Sequence, residues 1–360
     1  MSIAPARIAA FDILRKVEKG GYASDLLLIE TASLPSRDAG LANEIVFGVL
    51  RYQAQLDYLI EHYSGSRRKL DPEVRIALRM GVYQIRYLER VPVHAAVGDA
   101  VELVKRARKR SAAGFVNAVL RKVNRDAVDW PGREVELSCP EWLLARWERQ
   151  YGAEMAAAIA RAALQRPEAY FSAAGRRQDI GSQAIVPLLR LAPGLSFLDL
   201  CAAPGNKTAQ ALESGVKAVA CDLHFHRLRQ MKDLAADLVV LDGTRPLPFG
   251  RRFDRILVDA PCSGTGTLGR NPEIKWRLAV SDLEDLRRRQ AALLANAQAS
   301  LAPGGLMVYA TCSLESEENE GVVAAIPRDR IVKTLGRIPG RDAGDGFFAA
   351  VIKSSEPANG

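Results

Sequence analysis

The sequence predicts an all-helical domain followed by an α/β domain with a parallel sheet. Up to about Asn124, apolar residues recur at helical spacing, and no segment alternates convincingly between apolar and polar residues. From Ser196 onward, continuous apolar runs alternate with helical patterns, which is typical of parallel strands covered on both faces. The 360 residues allow two or three domains, and 48% hydrophobic residues suffice for sizeable cores.

The helical part begins near Arg7, and its apolar residues fall in groups that each fit one face of a helix. These groups are Ile8, Phe11 and Leu14; Leu41, Ile45 and Val49; Leu56, Leu59 and Ile60; Val74, Leu78 and Ile85; Val97, Val101 and Val104; and Phe115, Val119 and Val123.

The net charge of +8 favours polyanionic partners without naming one. Two basic clusters stand out, Arg67-Arg68-Lys69 and Lys105-Arg106-Ala107-Arg108-Lys109-Arg110. Because the helix dipole also favours cations at a helix C-terminus, each cluster is either a solvated helix end or a phosphate-binding patch.

A bridge separates the two predicted domains. Proline and glycine interrupt the chain at residues 130–132 and 139–140, two helical patterns follow from about Glu141 to Ala163, and another helix is predicted over Ser182 to Leu191. We therefore expect a helical domain over residues 1–126, a helical bridge over 127–195 and an α/β domain over 196–360.

The α/β domain is predicted to contain five parallel strands and a last edge strand, either parallel or antiparallel in direction, over residues 346–352. Helices are predicted near 207–213, 227–234 and 282–299. The parallel strands are Ser196–Cys201, Lys217–Asp222, Leu238–Asp242, Arg255–Asp259 and Leu306–Thr311.

Acidic residues stand at four of these strand ends, namely Asp199, Asp222, Asp242 and Asp259. A single aspartate at such a place is usually a cap or turn residue, but four in register indicate a pocket at the carboxyl edge of the sheet. The chain has no G-x-x-x-x-G-K-[ST] motif, so an acid-lined pocket favours a cationic or neutral adenosine derivative over a triphosphate.

The five cysteines are odd in number and show no C-x-x-C spacing, so zinc binding and a disulfide framework are disfavoured. Cys262 and Cys312 follow neighbouring predicted strands in polar loops, where a thiolate can be stabilised and used. A lone buried cysteine is usually a small apolar residue, but two loop thiols at one edge indicate a nucleophile. His224 and His226 are predicted to mark a solvated helix start and not a metal pair.

Several motifs resemble those of the Sun-family RNA cytosine-5 methyltransferases, and the front end resembles a NusB-like RNA-binding domain, which is typical of the bacterial RsmB branch. The motifs are Leu198–Thr208, Asp259–Gly266, Arg270–Trp276, Tyr309–Ser313 with Glu318-Asn319, and, in the helical part, Arg37–Arg51 and Phe115–Arg121.

The resemblance implies a class I, Rossmann-like methyltransferase fold, S-adenosylmethionine as cofactor and small-subunit (16S) ribosomal RNA as substrate. It assigns Asp222 to the ribose, Asp242 to the adenine edge, and Asp259 to the methyl donor and the target base. Cys312 would add to C6 of a cytosine so that C5 can accept the methyl group, and Cys262 would assist release. The remaining cofactor contacts would be Cys201, Ala202, Ala203, Pro204, Gly205, Asn206 and Lys207.

Three departures from the family pattern stand out. Asn206 replaces a second glycine and is expected to take the left-handed conformation. By resemblance the bridge lacks an RNA-binding subdomain of roughly seventy residues, a length change that loops between elements tolerate. The stretch from Asp222 to Asp242 is also short.

Two other functions stay open: a non-catalytic RNA-binding or ribosome-assembly factor, and the same chemistry on transfer RNA. No stretch of the sequence approaches a membrane span and no export signal precedes residue 7, so a cytoplasmic protein without membrane partners is expected. We also expect a monomer that uses no metal.

Overall fold

The computed structural model describes residues 3–67 and 69–355. The chain forms two compact units. The helical unit comprises residues up to Arg166 together with Leu268–Arg277, and the sheet unit comprises Pro167–Thr267 and the residues from Leu278 onward. The boundaries at residues 126 and 195 stay predictions.

The helical unit confirms the predicted all-helical domain. Apolar stripes of its helices meet in one core, in which Phe11, Ile45 and Leu78 are fully buried. Gly48 permits a close helix contact, because a Cβ there would lie 1.9 Å from Tyr83 Cζ. The helices up to Arg166 are α1 (Pro5–Val17), α2 (Ala23–Glu30), α3 (Ser36–Arg51), α4 (Gln53–Ser64), α5 (Pro72–Tyr87), α6 (Val93–Arg106), α7 (Ala113–Leu120), α8 (Arg133–Glu136), α9 (Glu141–Tyr151) and α10 (Ala153–Leu164).

The sheet unit contains a seven-stranded sheet with short helices. Its helices are α11 (Ile180–Gln183), α12 (Asn206–Leu212), α13 (Phe225–Leu228), α15 (Val280–Ala299) and α16 (Glu320–Val323), while α14 (Ile274–Arg277) lies in the segment that belongs to the helical unit. Its strands are β1 (Ser196–Asp199), β2 (Lys217–Asp222), β3 (Ala236–Val240), β4 (Phe253–Asp259), β5 (Leu301–Thr311), β6 (Ile331–Arg337) and β7 (Phe347–Lys353).

The strand order is β3-β2-β1-β4-β5-β7-β6. Strands β1 to β5 are parallel, and β7 is antiparallel to both β5 and β6. Successive residues of one strand enter different cores: Phe197 packs on one face of the sheet and Leu198 on the other. The order of the strands reverses between β1 and β4, and such a switch point is where open α/β sheets bind ligands.

The structure corrects several predicted elements. Strand β7 is not the edge strand, because β6 pairs with its outer side. The helix predicted over 227–234 is only the four-residue α13 followed by a 3₁₀ turn, and Pro187 lies in a 3₁₀ turn that interrupts the helix predicted over 182–191. Strand β5 begins at Leu301, five residues before the predicted start.

The segment Leu268–Arg277 caps three helices of the helical unit. The Glu273 carboxylate accepts a hydrogen bond from Ala23 N at the start of α2 (3.0 Å). Lys275 Nζ donates to Arg51 O at the end of α3 (2.9 Å), and Arg277 donates to Val17 O at the end of α1. An acidic side chain at a helix N-terminus and a basic side chain at a helix C-terminus interact favourably with the helix dipole. The segment therefore stabilises these three helix ends.

No helix in the described ranges is long and apolar enough to cross a membrane.

Candidate active site

The loop after β1 turns at a glycine. Gly205 has φ of +102°, and a Cβ at this position would lie 2.8 Å from the Met231 side chain, so both the conformation and the close packing require glycine. Asn206 is the first residue of α12 and has helical, not left-handed, geometry. The expectation for Asn206 is therefore wrong, because Gly205 alone takes the turn and Asn206 needs no unusual conformation.

The Asp199 carboxyl group lies at the end of β1 and is buried. Its Oδ2 accepts a hydrogen bond from Thr208 Oγ1 at 2.7 Å, whereas Oδ1 has no hydrogen-bond partner among the described residues. Burial raises the pKa of Asp199 to about 7. A buried acceptor without a donor is suited to an ammonium group, and the amino-acid part of S-adenosylmethionine carries one. The residues present thus fit that cofactor.

Asp222 links the β1 loop to the end of β2. The carboxylate is buried and accepts hydrogen bonds from Ala203 N (3.3 Å) and His224 N (2.9 Å). Arg227 donates to Ala203 O at 2.9 Å on the same side. A carboxylate has about four acceptor sites, so Asp222 retains capacity for hydroxyl donors.

Asp242 lies beyond the end of β3 and is satisfied within its own turn. Its Oδ1 accepts hydrogen bonds from Thr244 N (3.0 Å) and Thr244 Oγ1 (2.6 Å), and these bonds lower the pKa of Asp242. Its side chain is 37% exposed. Within the described chain Asp242 makes no hydrogen bond or ion pair to another predicted site residue.

Lys207 forms an ion pair with Asp259. Its Nζ lies 2.6 Å from Asp259 Oδ2, so the first residues of α12 meet the end of β4. Burial acts to lower the pKa of Lys207, but the Asp259 carboxylate outweighs it, and the pKa is raised overall. The sequence predicted both residues as cofactor contacts but did not predict that they pair.

The structure brings Cys262 and Cys312 together, as the predicted neighbouring strands require. Their sulfurs are 3.2 Å apart, and Cys312 N donates a hydrogen bond to Cys262 Sγ at 3.3 Å. Strands β4 and β5 pair side by side with Asp259 opposite Ala310, so both loops leave the same edge of the sheet. The contact with Cys312, and then burial, raises the pKa of the Cys262 thiol well above its usual range.

A buried carboxylate lies behind the two thiols and was missed as a functional residue by the sequence reasoning. Glu318 is fully buried and accepts hydrogen bonds from Ser263 and Ser313, which directly follow Cys262 and Cys312. The signal available in the sequence was the Glu318-Asn319 pair, which was recognised as part of a motif without a role.

The predicted basic patch is largely neutralised. Lys105, Arg106 and Lys109 form ion pairs with acidic side chains, the closest being a pair to Glu102 at 2.7 Å. In the other cluster, Arg68 lies outside the described residues. His224 and His226 are exposed at the start of α13, and the described part of the chain holds no group of three potential metal ligands.

Comparisons with known proteins give the family. The model described as "16S rRNA methyltransferase RsmB/F" matches residues 186–353, and the NusB family matches residues 4–125. "Ribosomal RNA small subunit methyltransferase B" of Cronobacter sakazakii is 30% identical over 423 positions, covering 96% of this chain and 97% of that protein. The protein of the same name from Yersinia enterocolitica is 31% identical over 420 positions, with the same coverage.

Alignments of this length against a chain of 360 residues require gaps in this chain. Among solved structures, the one titled "Crystal Structure of PH0851" shares the fold, with a TM-score of 0.79, 22% identity, and coverage of 98% of this chain and 100% of that chain. Together with the family-model match over residues 186–353, this shared fold confirms the predicted Rossmann-like methyltransferase fold. The chain belongs to the 16S rRNA methyltransferase RsmB/F family of RNA methyltransferases, carries a NusB-family domain and uses S-adenosylmethionine as its cofactor.

Proposed function

We propose that the protein methylates C5 of a cytosine in small-subunit ribosomal RNA through a covalent bond between Cys312 and C6 of the base. The observation that carries this proposal is the 3.2 Å separation of the Cys262 and Cys312 sulfurs, on the same sheet edge as the Lys207–Asp259 pair. Bound S-adenosylmethionine supplies an electrophilic methyl group on a sulfonium centre.

Cys312 is the nucleophile in this proposal. C5 of cytosine is a weak nucleophile, and addition of the Cys312 sulfur to C6 converts the ring into an enamine whose C5 can accept the methyl group. Because contact with Cys312 and burial raise the pKa of the Cys262 thiol, Cys262 keeps its proton, and its S–H can donate to the Cys312 sulfur. The contact between the sulfurs thus places a hydrogen-bond donor beside the proposed nucleophile.

Cys262 acts later in the cycle. Once Cys312 is bonded to carbon it no longer carries negative charge, and the main cause of the raised Cys262 pKa is removed. Cys262 can then lose its proton to solvent and, as a thiolate, take the proton from C5. The electrons of that C–H bond re-form the C5–C6 double bond, Cys312 leaves C6 as a thiolate, and the methylated base is released.

Asp259 and Lys207 form the polar side of the base site. The Asp259 carboxylate can accept hydrogen bonds from the amino group and from protonated N3 of cytosine, which favours addition at C6. Lys207, 2.6 Å away, orients this carboxylate. Reaching C6 requires a base that is unpaired or turned out of its stack.

The cofactor contacts follow the sheet edge. Asp222 would bind the ribose hydroxyls, Asp242 the adenine edge and Asp199 the ammonium group, while the loop Cys201–Lys207 would line the cofactor. We place this reaction in the cytoplasm, on ribosomal RNA, with the protein acting as a monomer and without metal.

The test uses small-subunit RNA freed of protein and S-adenosylmethionine with a labelled methyl group. The intact protein should transfer label to a cytosine, and mass spectrometry of nucleosides should identify 5-methylcytosine. Cys312→Ala should abolish transfer, and Cys262→Ala should accumulate a protein–RNA adduct. Cys139→Ala, in the helical unit, serves as the matched cysteine control.

Several outcomes would contradict the proposal. Full activity of Cys312→Ala would rule out the covalent route through Cys312. Transfer of label to transfer RNA alone would show that transfer RNA, and not ribosomal RNA, is the substrate. Binding of RNA and cofactor without turnover would indicate an assembly factor.

A further inference from the structure

Glu318 lies behind the two cysteine loops and is fully buried. One carboxylate oxygen, Oε1, accepts hydrogen bonds from Ser263 N (2.8 Å) and Gln290 Nε2 (2.9 Å). The other, Oε2, accepts from Ser263 Oγ (2.5 Å) and from Ser313 Oγ. An ionised carboxylate has about four acceptor sites, so these four donors saturate it.

All four donors are neutral, which distinguishes Glu318 from the ion-paired Asp259. A buried carboxylate is costly unless hydrogen bonds replace its water, and here the replacement comes mainly from the two loops. Ser263 follows Cys262 and Ser313 follows Cys312 in the chain. The same carboxylate therefore fixes the residue next to each sulfur.

Neighbouring contacts join this arrangement to the sheet. The Tyr309 hydroxyl of β5 donates to the Glu318 carbonyl (2.7 Å), and Asn319 bonds to both Thr311 Oγ1 and Ser313 O. Gln290 of α15 also donates to Pro261 O at 2.8 Å. Strand β5 thus holds the Glu318 backbone, and α15 holds its side chain.

We propose that Glu318 is a positioning residue that keeps the Cys262 and Cys312 sulfurs within reach of each other by binding Ser263 and Ser313 at once. This inference rests on the proposed function for its catalytic meaning, but the geometry it predicts is independent of RNA. Without the carboxylate, Ser263 and Ser313 lose the hydrogen-bond acceptor that they share, and the two sulfurs separate or sample a wider range of distances.

The experiment measures how fast the two thiols join when the full-length protein is treated with diamide, which oxidises two thiols to a disulfide and is itself reduced to the hydrazine. Mass spectrometry of digested protein separates the Cys262–Cys312 disulfide from other products. Glu318→Ala should form this disulfide about tenfold more slowly than the unmodified protein, and its methyl transfer should fall about a hundredfold in kcat with little change in KM.

Glu318→Gln separates geometry from charge. The amide oxygen can accept from Ser263 N and Gln290, and the amide nitrogen can donate to the two serine hydroxyls, which rotate to accept. This variant should therefore stay within about threefold of the unmodified protein in disulfide formation, because the anchor persists. Glu320→Ala, an exposed acid at the start of α16, is the matched control and should behave like the unmodified protein.

A variant of similar stability tests whether general loosening explains the result. Ile326→Ala opens the core of the sheet unit without removing a hydrogen bond to Glu318, and it should not slow disulfide formation relative to the unmodified protein. Should Glu318→Ala fail to fold, Ser313→Ala removes one donor and should slow the reaction to a smaller degree.

The positioning role is overturned if Glu318→Ala forms the disulfide at the unmodified rate, or if Ile326→Ala slows it equally. Should the unmodified protein transfer no methyl group at all, the proposed function fails, while the disulfide rates still decide the role of Glu318.

Discussion

Two stretches of one sheet edge differ in how their acidic residues are satisfied. At the end of β4 and beyond the end of β5, the carboxylates of Asp259 and Glu318 are bound by residues that follow other strands, as in the Lys207–Asp259 pair and the hydrogen bonds from Ser263 to Glu318. Beyond β2 and β3, Asp222 and Asp242 each bind the backbone amide two residues further along. Asp222 also reaches Ala203, but Asp242 does not leave its turn.

The difference separates acidic residues that hold two parts of the fold together from acidic residues that stabilise only their own turn. An aspartate that caps the residue two positions later is the ordinary turn pattern, and it is formed whether or not a ligand binds. A carboxylate held across strands is positioned by the fold and fixes groups around it. We therefore expect methyl transfer to be sensitive to conservative substitutions at Asp259 and Lys207, and to tolerate them in the Asp242 turn.

Among the variants that test this comparison, Lys207→Met is expected to show the largest effect. Loss of the charge-assisted hydrogen bond to Asp259 should lower kcat for methyl transfer by about 10² to 10³, the range seen when one preorganised polar contact is removed. Steady-state kinetics with labelled cofactor measures it. A loss below about threefold would show that the pair is not part of the base site.

The next effect is a pH-dependent stability change in Asp199→Asn. With a pKa of about 7 in the folded state and an ordinary value near 4 when unfolded, Asp199 ionises first in the unfolded chain, so folding is weakened as pH rises from about 4 to 7. The asparagine variant avoids this, and without cofactor it should gain on the order of 3 kcal/mol over the unmodified protein by pH 7.5.

Urea unfolding followed by circular dichroism at a series of pH values measures this gain. Tryptophan fluorescence is unsuitable, because the four tryptophans, Trp130, Trp142, Trp147 and Trp276, all belong to the helical unit. Asp242→Asn is the contrasting control: because the pKa of Asp242 is lowered, its contribution changes only below about pH 4 and should be constant across this window. Equal pH profiles for both variants would contradict the comparison.

Asp242→Asn is expected to have a smaller effect on the kinetics of methyl transfer. Asparagine can still accept the hydrogen bonds of Thr244, so the turn persists and only the charge near the adenine edge is lost. We expect KM for the cofactor to rise by no more than about fivefold with kcat unchanged. A loss as large as that of Lys207→Met would remove the distinction between the two stretches.

The smallest effect concerns RNA binding by the helical unit. Because Lys105, Arg106 and Lys109 already pair with acids, neutralising all five cations of residues 105–110 should reduce the salt dependence of binding by a slope of about 1 to 2, not by the amount five phosphate contacts would give. Titrations at several salt concentrations measure the slope, and an unchanged slope would assign the cluster to solvated surface.

The spacing of apolar residues predicted most of the helices and strands, because a buried helix face or strand face requires apolar residues at regular intervals along the chain. It failed where local preference is weak or overruled. Strand β6 (Ile331–Arg337) exposes Val332, Lys333 and Thr334 and lacks an apolar run, so its sequence does not predict a strand. It forms because its backbone pairs with that of β7. Asn206 begins a helix because Gly205 makes the turn before it.

By itself the sequence determined the succession of helices and strands, the acids at strand ends and the two loop thiols, since each is a local pattern of residue types. Only the tertiary structure decided that Lys207 meets Asp259, that Glu318 joins the two cysteine loops, and that Glu273, Lys275 and Arg277 cap helices of the helical unit, to which they belong. All of these contacts except that between Ser313 and Glu318 join residues far apart in the chain, and their formation depends on strand order and packing that no local pattern encodes.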